Sequence, residues 1–374
     1  MIYLDHAAST PVRREVLEAM WPFLTGEFGN PSSHHEVGES AARALAAARV
    51  ELAQLLGCRP AELIVTSGGT ESDNLAIKGI FLASARGKHI ITSAIEHEAV
   101  LESCAYLERF HGASVTILPV NEEGLVSAES LRAAMRPDTA LVSIQHANNE
   151  IGVVQPIASL AAIAKDAGVP FHTDAVQSTG WLPVTLPDLG ADAITVAGHK
   201  LGAPKGIGLL VLRSGIPLEP LLHGGGQERG RRSGTENVAG LVGLATALRL
   251  APRGHDSTVR DALIDGVLAA VPNAFLTGSR TSRLPNHASF CFPGTSGEAV
   301  LLELERHGIT CSSGSACAAG SDEPSHVLLA IGIEPNVAQT AVRFTMDENT
   351  TLDEVAEVVS RVADAVTSVS ALGL

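Results

Sequence analysis

No stretch of the 374-residue chain approaches the run of apolar residues that a bilayer span requires. The N-terminus, MIYLDHAAST, is acidic early and lacks a basic segment leading into an apolar one, so no signal peptide is expected. Cysteine is scarce: Cys58, Cys104, Cys291, Cys311 and Cys317 are odd in number, widely spaced and include no CxxC pair. That argues against a disulfide framework and a zinc site, and fits a reducing, cytoplasmic setting. The 14 histidines form no HExxH or other ligand spacing, so no metal is expected. There is no internal repeat and no low-complexity tract. A net charge of −15 disfavours non-specific nucleic-acid binding, and neither DNA nor a membrane is expected as a partner.

What is present is a compact composition, 45% hydrophobic and 18% charged, long enough for a large core and two domains. Residues 1–35 show little periodicity and two turn-rich pieces, Asp5–Pro11 and Gly29–His35. Helical spacing runs from Val37 to Leu56, and Gly57 stops it. The strand Leu63–Thr66 then leads through SGGTES into an amphipathic helix ending near Ala85. With Thr70 as N-cap and Asp73 three residues on, this turn has the form of a phosphate cradle, and equally that of an ordinary capped helix. It matches neither the dinucleotide fingerprint nor the P-loop, which points to a single phosphate on a small cofactor.

Strands are expected at His89–Ser93, Ser114–Val120, Ala140–Gln145 and Pro170–Asp174, with helices from about Ala99 and over Ile157–Ala167. The alternation predicts an α/β fold, a mostly parallel sheet flanked by helices, with ligands bound beyond the carboxyl ends of its strands. Polar residues fall at those ends: His97, then Asn148 and Glu150, then Asp174 and Gln177, then His199 and Lys200. The last pair sits in a Gly/Pro-rich turn between the apolar runs Ala193–Ala197 and Gly208–Leu212. A lysine held there loses its proton more readily and forms a Schiff base with an aldehyde; the same triplet also suits a surface hairpin.

The segment HGGGQERGRRSGTEN mixes arginines and glutamates with glycines, as a solvated loop does. A long apolar helix, Asn237–Leu250, precedes the domain boundary expected at Ala251–Asp256. Beyond it, helices near Val259–Val271, Gly297–His307 and Leu352–Ser370 and strands near Ala288–Phe292 and Ala341–Thr345 predict a smaller α+β domain. There Cys317 lies in SSGSACAAGS, where small residues make an accessible thiol; the other cysteines lie on apolar segments, with Cys311 at the loop's edge.

The set DHAAST, GNPSS, SGGTESDN, IEHEAV, NNEIG, HTDAVQS, GHK, GGGQERGRRSGT, SSGSAC and AVRF, in this order over nearly the whole chain, resembles the pyridoxal-phosphate-dependent cysteine desulfurases of the class V aminotransferase superfamily. The likeness is to the branch with a long active-site cysteine loop that serves iron–sulfur cluster assembly and tRNA thiolation. It implies fold type I with a seven-stranded central sheet, a large cofactor domain over residues 14–253, and a small domain from 1–13 and 254–374 carrying a cysteine loop at about 312–324. It implies pyridoxal 5'-phosphate held by Lys200 as a Schiff base, with Asp174 on the pyridine nitrogen and Gln177 on the phenolic oxygen. His97 would stack on the ring and exchange protons with the substrate, L-cysteine. Gly69, Thr70 and His199 would hold the phosphate, and Thr235 would reach the cofactor phosphate of a neighbouring subunit, which implies a homodimer. Asn148 and Arg343 would bind the substrate carboxylate. Cys317 would take the sulfur as a persulfide for acceptor proteins, releasing alanine. A selenocysteine lyase or another β-lyase on the same cofactor is the alternative; an aminotransferase needs no thiol. Two features depart from the resemblance: Ala197 stands where many relatives carry a phosphate-binding serine, and the chain stops at Leu374, short of the tail with which relatives dock the cluster scaffold.

Overall fold

A computed structural model describes residues 1–252, 254, 256–314 and 323–371. In chain order its first half comprises β1 (Ile2–Tyr3), α1 (Arg14–Thr25), α2 (Glu36–Leu55), β2 (Leu63–Thr66), α3 (Gly69–Ala83), β3 (His89–Ser93), α4 (Glu98–His111), β4 (Ser114–Leu118), α5 (Ala128–Ala134), β5 (Thr139–Ser143) and α6 (Ile157–Asp166). There follow β6 (Phe171–Asp174), α7 (Leu186–Leu189), β7 (Ala193–Ala197), β8 (Gly208–Leu212), α8 (Val238–Leu250), α9 (Thr258–Ala270), β9 (Phe275–Leu276), β10 (His287–Cys291), α10 (Gly297–Arg306), β11 (Ile309–Thr310), α11 (His326–Ala330), α12 (Pro335–Ala338), β12 (Ala341–Thr345) and α13 (Leu352–Ala371).

Seven strands form one sheet in the order β2-β8-β7-β6-β5-β3-β4. Pairing is parallel from β7 through β4, while β8 runs antiparallel to both β2 and β7. Strands such as LIVT and GLLVL are apolar on both faces because helices cover both. One core, which includes Leu45, Leu52, Leu160 and Leu244, packs α2, α6 and α8 on one face; a second, including Ile77, Ile80, Val100 and Leu107, packs α3 and α4 on the other. The mostly parallel sheet and flanking helices expected of the sequence are present.

The later part of the chain builds a separate three-stranded sheet, β12-β10-β9, covered by α9, α10 and α13 around Phe290, Phe344 and Val362. Leu4 belongs to that core, and β1 pairs with β11, so residues 2–4 are sewn into this later part of the chain. Residues 5–13 then cross to the large sheet: Ala7 donates to the Thr345 hydroxyl at 2.8 Å, and Thr10 Oγ1 donates to the His199 carbonyl at 2.8 Å. Among the described residues no helix is long and apolar enough to cross a membrane.

Three local expectations are corrected. Residues 14–25 form α1, which the patterning hides: Val16 and Met20 face inward, but Leu17, Trp21 and Leu24 are exposed, and Pro22 lies within the helix. Thr70 is not the cap of α3. Gly68, at φ 157°, is the N-cap, and the Glu71 carboxylate reaches back to accept from the Ser67 amide at 2.7 Å. The arginine-rich segment is not simply solvated, since Glu228 is buried against Arg49 and Arg232 pairs with Glu71 at 2.9 Å.

Candidate active site

A cleft of about 870 Å³ opens over the carboxyl ends of β3, β5, β6 and β7, where the helical connections turn away from the sheet. Gly69, Thr70, His97, Asp174, Gln177, His199, Lys200 and Arg343 all line it. All but Arg343 arrive by a short route from a strand end of the large sheet. Lys200 closes the three-residue turn Gly198–Lys200 that follows β7. Its amine donates to the carbonyls of Ala7 and Ala8, the latter at 2.8 Å, and Gln177 Nε2 donates to the same Ala7 carbonyl at 3.0 Å.

Asp174 ends β6 and accepts from the Val176 amide at 2.8 Å. Burial raises its proton affinity above that of an ordinary aspartate, while His97, the Val176 amide and Lys200 pull the other way. His97 is the N-cap of α4, its Nδ1 accepting from the Ala99 amide at 3.0 Å. A neutral ring in that role carries its proton on Nε2. His199 is pushed down to about 4, first by burial and then by Lys200 and Lys205, so the ring beside the lysine is neutral at pH 7.

The turn before α3 is built for an anion. A side chain at position 69 would crowd Val176, since a Cβ there would lie 2.9 Å from Val176 Cγ2 and Val176 would have to shift. The amides of the first turn of this 15-residue helix precede any intrahelical acceptor, and they open onto the cleft at Gly69 and Thr70.

Arg343 comes from the other core, on β12, and is buried. Its Nη2 pairs with Asp5 Oδ1 at 2.7 Å, its Nη1 donates to the carbonyls of Asn149 at 2.9 Å and Gly314 at 3.1 Å, and its Nε has no partner.

Asn148 is not brought to the cleft. Its side chain is fully buried and consumed locally: Nδ2 donates to the Ile95 carbonyl at 2.9 Å, and Oδ1 accepts from the amides of Glu150 and Ile151 at 2.8 Å each. The neighbouring Asn149 lines the cleft instead. Thr235 is exposed and lies off the cleft lining of its own chain. Cys317 lies outside the described residues; Gly314 and Glu323, the described residues flanking that segment, both line the cleft. Past the segment, Ser325 Oγ donates to Glu150 Oε2 at 2.6 Å, and His326 Nε2 lies 3.0 Å from the Glu96 carbonyl. Burial pushes the thiols of Cys58, Cys104 and Cys291 up to about 12, and that of Cys311 higher still, which leaves them inert.

Sequence reasoning missed Asp5 as the partner of Arg343, the carbonyls of Ala7 and Ala8 beneath the lysine, and two buried carboxyls, Asp73 and Glu96. The composition of DHAAST marks a turn, and nothing in it signals contacts made 170 or more residues away. Asp73 lies in the helix the sequence does mark, but only the packed sheet shows that it is buried.

The chain matches the family model described as aminotransferase class-V over residues 2–358. It is 46% identical to a cysteine desulfurase IscS of Dictyoglomus turgidum, covering 99% of this chain and 96% of that one. It is 47% identical to a cysteine desulfurase IscS of Methanosarcina thermophila, over 99% and 94%. Among solved structures, a NifS-like protein superposes with a TM-score of 0.91 at 36% identity, over 98% of this chain and 99% of that one. A structure described as SspA in complex with cysteine matches with a TM-score of 0.84 at 38% identity, over 94% and 100%.

Proposed function

The chain belongs to the class-V aminotransferase family, whose cysteine desulfurases are pyridoxal-phosphate-dependent, and from that premise we propose that its cleft takes sulfur from L-cysteine and releases L-alanine. The observation that carries this reading is the convergence on one cleft of an amine, a buried carboxylate, an imidazole, a helix N-terminus and a guanidinium, at Lys200, Asp174, His97, Thr70 and Arg343.

The donor set fits the cofactor. The glycine at 69 leaves room for a phosphate against the amides of α3, the Lys200 amine suits the aldehyde, and the buried Asp174 carboxylate suits a protonated ring nitrogen. When bound, the cofactor supplies an electron sink that weakens bonds at the substrate's α- and β-carbons. Lys200 would anchor it, and Gln177 would donate toward its phenolic oxygen. His199 would offer a neutral ring nitrogen to the phosphate. His97 would carry protons on Nε2, the atom not engaged in capping α4. Arg343 would bind the substrate carboxylate as a fork, with Asn149 rather than Asn148 beside it.

Cys317 would accept the sulfur. Its thiolate attacks the substrate's sulfur, an S–S bond forms as the C–S bond breaks, and the departing carbon keeps the electron pair and is protonated to alanine. The products are alanine and a persulfide at Cys317, with no outside oxidant or reductant required. We assign the persulfide to acceptor proteins of iron–sulfur cluster assembly or tRNA thiolation, the enzyme to a homodimer with Thr235 facing the partner's cofactor, and the site of action to the cytoplasm. Residues 14–253 would form the cofactor domain, and residues 1–13 with 254–374 the smaller one.

The test is turnover of L-cysteine by Cys317→Ser. Alanine production stops while the cofactor absorbance band, removable by borohydride, remains. Alanine formed at the wild-type rate by that variant would overturn the persulfide route.

A further inference from the structure

The floor of the cleft holds more carboxyl groups than the proposed chemistry uses. Asp73 lies one full turn inside α3, 1% exposed, and lines the cleft beside Asp174. Its Oδ1 has no hydrogen-bond partner. The ring facing it is His172 of β6, whose Nε2 is 3.7 Å away. That ring is occupied elsewhere: Nδ1 lies 2.8 Å from Ser143 Oγ of β5, and Nε2 lies 3.0 Å from Thr195 Oγ1 of β7. Burial pushes His172 down to about 3, so it offers Asp73 no positive charge at any working pH.

The other elements packed on α3 supply no cation either. Strands β2 and β8 contribute Leu63–Thr66 and Gly208–Leu212, and α4 buries Ser103 and Cys104. From the turn after β3 comes Glu96, a third buried carboxyl, pushed up to about 8 by burial. The groups that do favour a carboxylate, His97 and Lys200, act on Asp174. For Asp73, burial and then the nearness of Asp174 oppose ionisation, and only the Thr195 hydroxyl favours it. Two unscreened carboxylates side by side in such a place repel strongly, so one keeps its proton.

We propose that Asp73 is a positioning residue that stays protonated beneath the cleft, leaving Asp174 as the one carboxylate presented to the cofactor ring. This rests on the reading that the ring nitrogen sits on Asp174. Asp73 then acts through Asp174, by withholding a second negative charge that would draw the proton onto Asp174 instead.

The test compares the holoenzyme with Asp73→Asn and Asp73→Ser by urea unfolding between pH 5 and pH 8. A carboxyl that keeps its proton when folded, and loses it near pH 4 when unfolded, makes stability fall as pH rises. The variants lack that proton, so each gains on the wild type as pH rises, by the slope of one proton. A difference that is flat or falls with pH would overturn the proposal. With Asp174→Asn as background the neighbouring charge is gone, and the gain levels off at lower pH; an unmoved plateau would show that the two carboxyls do not act on each other. The infrared carbonyl band of a protonated carboxylic acid, present in the wild type at pH 7, loses intensity in Asp73→Asn; unchanged intensity counts against the proposal. Wild-type protein without a borohydride-sensitive cofactor band would sink the reading of the site itself, whereas a normal band with a flat difference sinks only the role of Asp73.

Discussion

Arg343 and Asp5 stand 338 residues apart in the chain and meet at 2.7 Å, the guanidinium 2% exposed and the carboxylate 19%. The pair ties the first residues to β12 and fixes the planar fork at the edge of the cleft. An arginine so enclosed is tolerated because its charge is answered; without the carboxylate, the burial cost remains. Asp5→Asn is therefore expected to lose about 3 kcal/mol of stability in urea unfolding at pH 7. A loss below about 0.5 kcal/mol, the scale of an ordinary surface substitution, would mean that the pair is incidental.

Gly208 opens β8 directly beneath the anion turn. A Cβ at this position would lie 2.7 Å from the backbone of Gly68 and 2.9 Å from the Val196 carbonyl, neither of which is a flexible side chain. Gly208→Ala is expected to cost about 1–3 kcal/mol and to displace the turn before α3. Cofactor affinity falls at least about tenfold, the size of one lost charge-assisted hydrogen bond. Fluorescence titration of the apoprotein with cofactor measures this, and an unshifted midpoint would detach the turn before α3 from phosphate binding.

Ala197 lines the cleft next to position 69, where a Cβ would sit 3.5 Å from its own. Ala197→Ser adds a hydroxyl at the cradle, worth about 1 kcal/mol, or roughly fivefold tighter cofactor binding. Equilibrium dialysis against cofactor reads the change. Weaker binding would place the phosphate elsewhere.

His146 is buried with Nδ1 unpartnered, and burial pushes it down to about 4. The unfolded chain takes up that proton near pH 6.5, the folded one only near pH 4, so the wild type loses stability as pH falls between them. His146→Gln removes the term. The stability of the variant relative to wild type should rise by up to about 1.4 kcal/mol per pH unit below pH 6. Asp73 and Glu96 act with the opposite sign in that range but cancel in the difference. Unfolding curves at pH 7, 6 and 5 decide it, and parallel loss in both proteins would refute it.

The β/α alternation was legible because buried parallel strands read as short apolar runs and their helices as periodic ones. Most of the candidate site was legible too, because strand ends deliver it: His97, Asp174, Gln177, His199 and Lys200 each follow such a run within a few residues. What escaped lacked a local signal. In α1 apolar residues lie on all sides, so the period blurs. Asn148 and Asn149 are indistinguishable as a dipeptide, and only the tight turn consuming the first amide separates them. Thr70 satisfies the composition rule for a cap, yet Gly68, two residues earlier, is the N-cap. Asp5 finds its partner through the pairing of β1 with β11 and of Asp5 with Thr345, which no window of sequence contains.

The crossing of residues 5–10 between the two cores bears on how the protein is made. Ala7 and Ala8 meet Lys200, and Asp5 meets Arg343, so residues 5–8 find their partners only after residues 200 and 343 have been made. Until translation passes residue 345 the nascent polypeptide has the central sheet but neither the guanidinium nor the Thr345 hydroxyl that fastens Ala7. A product truncated before residue 343 lacks the guanidinium that lines the cleft and answers Asp5.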